Sequence, residues 1–147
     1  MEALFNQLFD YNFYCNKKLI DELQTISKVP KKSIKLFSHI LNAHHIWNKR
    51  LVGEEWNFKV WQVHEIKDWE DIHYENQRST FEVIRNTHDF NKRIDYQTTE
   101  GRTFANELKD VLFHIVNHSS HHRGQILMNL RDKKIEPPSL DYIFYKR

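Results

Sequence analysis

Four histidines fall within nine residues of an apolar, helix-patterned stretch, Leu112-Phe113-His114-Ile115-Val116-Asn117-His118-Ser119-Ser120-His121-His122-Arg123-Gly124-Gln125. Histidine is the commonest transition-metal ligand among side chains. On a helical wheel His118 and His122 lie about 40° apart and one turn separated. Both are within a right angle of the face made by Leu108, Val111, Leu112, Ile115 and Ile126. Two inward imidazoles stacked in this way can chelate one ion. His121 projects about 130° from the centre of that face and is a poor ligand. His114 and His118 are also four residues apart, so only the face argument separates the two pairs. A histidine cluster can equally be a solvated patch or a set of hydrogen-bonded core residues. Here the pair points at the core, and the chain offers further histidines for a third ligand.

That third ligand should come from a facing helix. The segment Lys31 to Leu51 carries His39, His44 and His45. Its wheel prefers His44, about 50° from the apolar centre, over His39 at about 90°, with His45 pointing away. Ser119 follows His118 directly, so the motif lacks the glutamate of HExxH and supplies no metalloprotease base.

The rest of the chain must position these groups. Its 147 residues suit a single domain, 1–147, with a core that needs no disulfide. The lone cysteine, Cys15, excludes an internal disulfide and fits a reducing compartment. No apolar run of spanning length and no signal peptide are evident, so a cytoplasmic protein without membrane association is expected. The 22 Lys and Arg against 20 Asp and Glu leave a net charge of +2. The basic residues are dispersed, which argues against nucleic-acid binding.

Four long amphipathic patterns follow one another. Leu4, Leu8, Tyr11, Cys15, Leu19, Leu23 and Ile26 mark a first helix, ended by Lys28-Val29-Pro30. Leu36, Phe37, Ile40, Ala43, Trp47 and Leu51 mark a second, with Gly53 as its terminator. An aromatic loop with Trp56, Phe58 and Trp61 leads to Asp68, which can cap a third helix from Trp69 to about Asn86 that buries Ile72, Phe81 and Ile84. Arg93 to Gln97 alternates as a strand, and Thr99-Glu100-Gly101 suggests a hairpin turn. Thr103 or Asn106 is the expected cap of a fourth helix reaching Asp132. Its interior Gly124 suggests close helix packing, and Arg123 and Gln125 are candidates to support the ligands or a dimer contact. The expected architecture is an all-α four-helix bundle with a small hairpin before the last helix, a fold that readily builds metal sites from facing helices.

The residues Phe37-Ser38-His39-Ile40-Leu41-Asn42-Ala43 with Ile46-Trp47, and His114-Ile115-Val116-Asn117-His118 with His121-His122-Arg123-Gly124-Gln125, resemble the DinB/YfiT-like superfamily over essentially the whole chain. The resemblance implies a bundle of unusual connectivity that holds a divalent metal, zinc or nickel, on His39, His118 and His122. It therefore selects His39 where the wheel prefers His44. Three neutral imidazoles leave coordination positions open for substrate, the pattern of a catalytic site. Proteins similar to this one transfer low-molecular-weight thiols such as bacillithiol to small electrophiles, isomerise substrates with mycothiol, or act as hydrolases. The leading expectation is a metal-dependent thiol S-transferase or a related hydrolase. The alternative is a noncatalytic, dimeric metal-binding stress-response protein. A homodimer is expected in either case, with the pocket open at one bundle end and rimmed by Trp56, Trp61 and the Tyr142 to Tyr145 tail.

Overall fold

A computed structural model describes residues 1–147. The helices are α1 (Glu2–Gln24), α2 (Lys31–Val52), α3 (Trp69–Arg85), α4 (Leu108–Asp132) and the short α5 (Tyr142–Tyr145). Strands β1 (Arg93–Gln97) and β2 (Thr103–Glu107) form an antiparallel hairpin between α3 and α4, with Tyr96 opposite Phe104. The fold is thus the expected four-helix bundle with its hairpin. Helix α2 lies against both α3 and α4, and α1 lies against α3 and α4. No helix is long and apolar enough to cross a membrane.

Local sequence accounts for most boundaries. Gly53 closes α2 in the left-handed conformation at φ 72°, and the Glu54 N–H reaches back to the Lys49 carbonyl. That conformation is inexpensive only for glycine. Gly101, at φ 80°, serves the hairpin turn in the same way. Asp68 does occupy the N-cap position of α3, but its side chain makes no capping bond. Neither Thr103 nor Asn106 caps α4: both belong to β2, and α4 begins at Leu108 directly after the strand. The Leu108 N–H is satisfied by the Lys92 carbonyl and that of Lys109 by the Phe90 carbonyl, so tertiary backbone bonds replace the cap.

The core has apolar ends and a polar middle. One cluster gathers Leu19, Leu23, Phe37, Leu41, Trp69, Ile126 and Leu130, and the other Phe5, Phe9, Leu51, Ile84, Leu112 and Ile115. Between them every helix turns a polar residue inward: Asn12 and Asn16, His44 and Asn48, His73, Asn76, Gln77 and Thr80, then Ser119 and Arg123. This belt corrects two expected stripes. Leu4 is 53% exposed and Leu8 only half-buried, because α1 faces the bundle with Phe5, Phe9, Asn12 and Asn16. In α3 Ile84 is buried as expected, whereas Ile72 and Phe81 stay at the margin.

Arg123 anchors the belt. Its guanidinium is buried and donates to the Oδ1 atoms of Asn12 (2.5 Å) and Asn16 (2.8 Å) and to Ser120 Oγ (2.9 Å). A buried charge is tolerated only when its donors are satisfied, and here neutral amides replace a carboxylate. Arg123 therefore serves the bundle interior rather than the histidines or an outer contact. Gly124 faces open space, with nothing within 4 Å of an added Cβ, so close helix packing does not explain it. The structure gives no reason for a glycine there.

Candidate metal centre

Helices α2 and α4 run antiparallel and bring His39 opposite His118 and His122. The ligand-capable nitrogens of these three residues all lie within 4.8 Å of one another. The Nε2 atoms of His39 and His118 are 3.1 Å apart. In a tetrahedral site with metal–nitrogen bonds near 2.05 Å, donor nitrogens stand roughly 3.3 Å apart. The cluster is therefore close to the size such an ion demands. Of the three, His39 is buried, while His118 and His122 are half-buried.

The far nitrogens fix which atom each ring presents. His39 Nδ1–H donates to the Val60 carbonyl at 2.9 Å, so its lone pair is on Nε2, the atom that faces His118. His122 Nδ1–H donates to Gln125 Oε1 at 2.7 Å, which leaves Nε2 free. Such partners orient metal-ligating imidazoles and raise their basicity. Burial, then the imidazoles of His122 and His39, push the His118 pKa down to about 3. Burial likewise lowers His39, with the Val60 bond opposing and His122 adding to the effect. Both rings are neutral at pH 7, the state that binds a cation. Their charge environment consists of other histidines, with no carboxylate contributing.

The aromatic loop is pinned over the cluster from α2. Asn42 Nδ2 donates to the Gln62 (2.7 Å) and Val60 (3.3 Å) carbonyls, and its Oδ1 accepts from His64 Nε2–H at 2.5 Å. Ser38 Oγ accepts the His64 backbone N–H. The clamp sets the Val60 carbonyl against His39 and lays Trp61 on the His39 ring, with centroids 3.8 Å apart and planes at 11°. Trp61 is thus a wall of the site, as expected. Tyr142 and Tyr145 are not: their rings pack on Tyr11 and Tyr14 of α1. The clamp residues Asn42, Ser38 and His64 escaped sequence reading. Asn42 stands three residues after His39, a helical neighbour whose amide could have been suspected.

The other histidines have separate roles. His44 is the core histidine of α2: its Nε2–H donates to Thr80 Oγ1 at 2.7 Å, and burial above all pushes its pKa down to about 3. The wheel recognised its burial but not its partner. His45 does not point away; it is half-buried against Phe58 at 4.5 Å. His114 lies exposed, its ring 5.6 Å from His118 and 5.1 Å from Trp47, outside the triad. His121 is exposed beside His122. A 680 Å³ furrow between α2 and α3 holds Lys49, Glu75, Arg78 and Glu82 but none of the three clustered histidines.

The chain is 22% identical to "Protein DinB" of Bacillus subtilis (strain 168) over 157 aligned residues, which cover 95% of this chain and 91% of that protein. The family model described as "DinB family" matches residues 5–147, a span that contains all but the first turn of the bundle and all three clustered histidines, and the chain belongs to the DinB family.

Proposed function

We propose that this protein is a divalent-metal-dependent enzyme that joins a low-molecular-weight thiol of the bacillithiol type to a small electrophile. One observation carries the reading: three imidazole nitrogens converge, and two of the rings have their outer nitrogen committed to a protein acceptor. A zinc or nickel ion held there supplies Lewis acidity and an open position for a donor atom of the substrate.

The chain's own contribution is then specific. His39, His118 and His122 bind, while Val60 and Gln125 hold two of the rings in the binding tautomer. Trp61 covers one face of the His39 ring. The exposed edges of His118 and His122 remain the approach route. Ser119 stands after His118 where an HExxH motif would carry its glutamate base, and a thiol brings its own nucleophile, which supports the thiol reading.

Protein reconstituted with zinc or nickel and offered several low-molecular-weight thiols with an aromatic chloride should consume thiol at a rate abolished by chelation. Loaded protein that turns over no thiol would overturn the transferase reading and leave a noncatalytic metal-binding protein.

A further inference from the structure

Arg50 is a cation without an anion. Of the arginines, only Arg50 and Arg123 are drawn in from the surface, and Arg123 has its amide and hydroxyl acceptors. Arg50 takes part in no hydrogen bond to a side chain and no ion pair. Its guanidinium carbon instead lies 4.5 Å from the Trp47 ring centre, 5.1 Å from Trp56 and 5.3 Å from Tyr96. Aromatic faces attract the cation but accept none of its in-plane N–H bonds. Nε is buried without a partner. The two Nη groups are not among the buried unpartnered atoms, so they reach solvent.

This cage lies on the same seam as the histidines. From His118 the path runs 5.6 Å to His114, 5.1 Å to Trp47 and 4.5 Å on to Arg50. Trp47 and Arg50 follow His39 by eight and eleven residues, or roughly 12 and 16 Å of helix. The walls come from the elements outside the four helices. The aromatic loop gives Trp61 at the histidine end and Trp56 at the arginine end, and the hairpin gives Tyr96, whose hydroxyl is held by Asn106 at 2.8 Å.

We propose that Arg50 receives a carboxylate of the molecule whose other end reaches His39, His118 and His122. The ligand class is an elongated, acidic small molecule with a metal-seeking donor about 15 Å from its carboxylate. The guanidinium fork supplies paired N–H donors to a carboxylate, and the three rings exclude water around that pair. Trp47, Trp56 and Tyr96 hold the guanidinium in place and are positioning residues.

The inference rests on the metal reading, and one experiment separates the two. Cobalt-loaded protein is titrated with 4-mercaptobutyrate and mercaptoundecanoate and with the methyl ester of each, following the visible spectrum of the ion. The long acid should bind at least about tenfold more tightly than its ester, the lower end of what charge-assisted hydrogen bonding by the fork contributes. 4-Mercaptobutyrate, too short to reach Arg50 and too long for a compact chelate ring on the ion, should show no such advantage. Arg50→Met should abolish the advantage while ester binding and helical content persist, and Arg50→Lys, which keeps charge without the fork, should retain only part of it. Equal binding of long acid and ester in the unsubstituted protein, or an advantage that survives Arg50→Met, overturns the carboxylate site alone. Esters and acids that all leave the cobalt spectrum unchanged overturn the reading beneath it, that the ion takes a thiol donor at an open position.

Discussion

Asn42 touches none of the clustered ring nitrogens, yet its removal should weaken metal binding. Its amide is fully buried, donates to two carbonyls of the aromatic loop and accepts from His64. Three hydrogen bonds at about 1 kcal/mol each set the cost of Asn42→Ala near 3 kcal/mol in the metal-free protein. Part of that loss must reach the site, because the Val60 carbonyl that fixes the His39 tautomer is one of the two acceptors. Outer partners of this kind govern metal affinity by roughly 10- to 100-fold. Urea unfolding of the metal-free variant should therefore show the stability loss, and calorimetric titration with zinc a fall of that order at unchanged stoichiometry. Trp61 offers an internal check, since loosening the loop should unstack it from His39 and change its fluorescence. Wild-type zinc affinity in a variant that has lost the stability would refute the coupling.

The two helix-two histidines should part company: His39→Ala abolishes tight zinc binding, whereas His44→Ala costs stability through the lost Thr80 bond and spares affinity. Equal zinc affinities in the two variants would contradict the assignment. Arg123→Ala leaves Asn12 and Asn16 unpartnered in the polar belt and should destabilise the fold by about 2–4 kcal/mol, measurable by urea denaturation. Burial holds His44 near 3 and His73 near 4, both below the ordinary value of 6.5. The unfolded chain therefore binds more protons in that interval, so stability is full above pH 6.5 and falls as pH drops toward 3–4. A metal-free protein whose unfolding free energy is flat between pH 7 and 5 would contradict that linkage. Sedimentation at micromolar concentration should show a homodimer, and a concentration-independent 18.0 kDa species would exclude it.

The parts of the fold that could be read from sequence are those where burial follows hydrophobicity. Leu36, Phe37, Ile40 and Leu51 are buried where a 3.6-residue period puts them, and Gly53 ends their helix. The readings that failed cross the polar belt. Asn12, Asn16, Asn76 and Gln77 face inward because their amides meet backbone carbonyls or Arg123, and a hydrophobicity pattern carries no record of such partners. The same cause misled the wheel at His44, which is buried for Thr80 rather than for an ion. His118 and His122 were legible because they share a turn on one helix. His39 was reached only through family resemblance, since its pairing is made across the seam to α4. The cap of α4 was misplaced because Lys92 and Phe90 satisfy its first amides from a distance that spacing cannot register.

The central claim, that His39, His118 and His122 form one metal site, is tested most directly by titrating zinc or nickel into the metal-free protein beside its His118→Ala and His122→Ala variants. The predicted result is one ion per chain in the unsubstituted protein and no stoichiometric binding in either variant, with helical content retained in all three. Stoichiometric binding of unchanged affinity in both variants would contradict it.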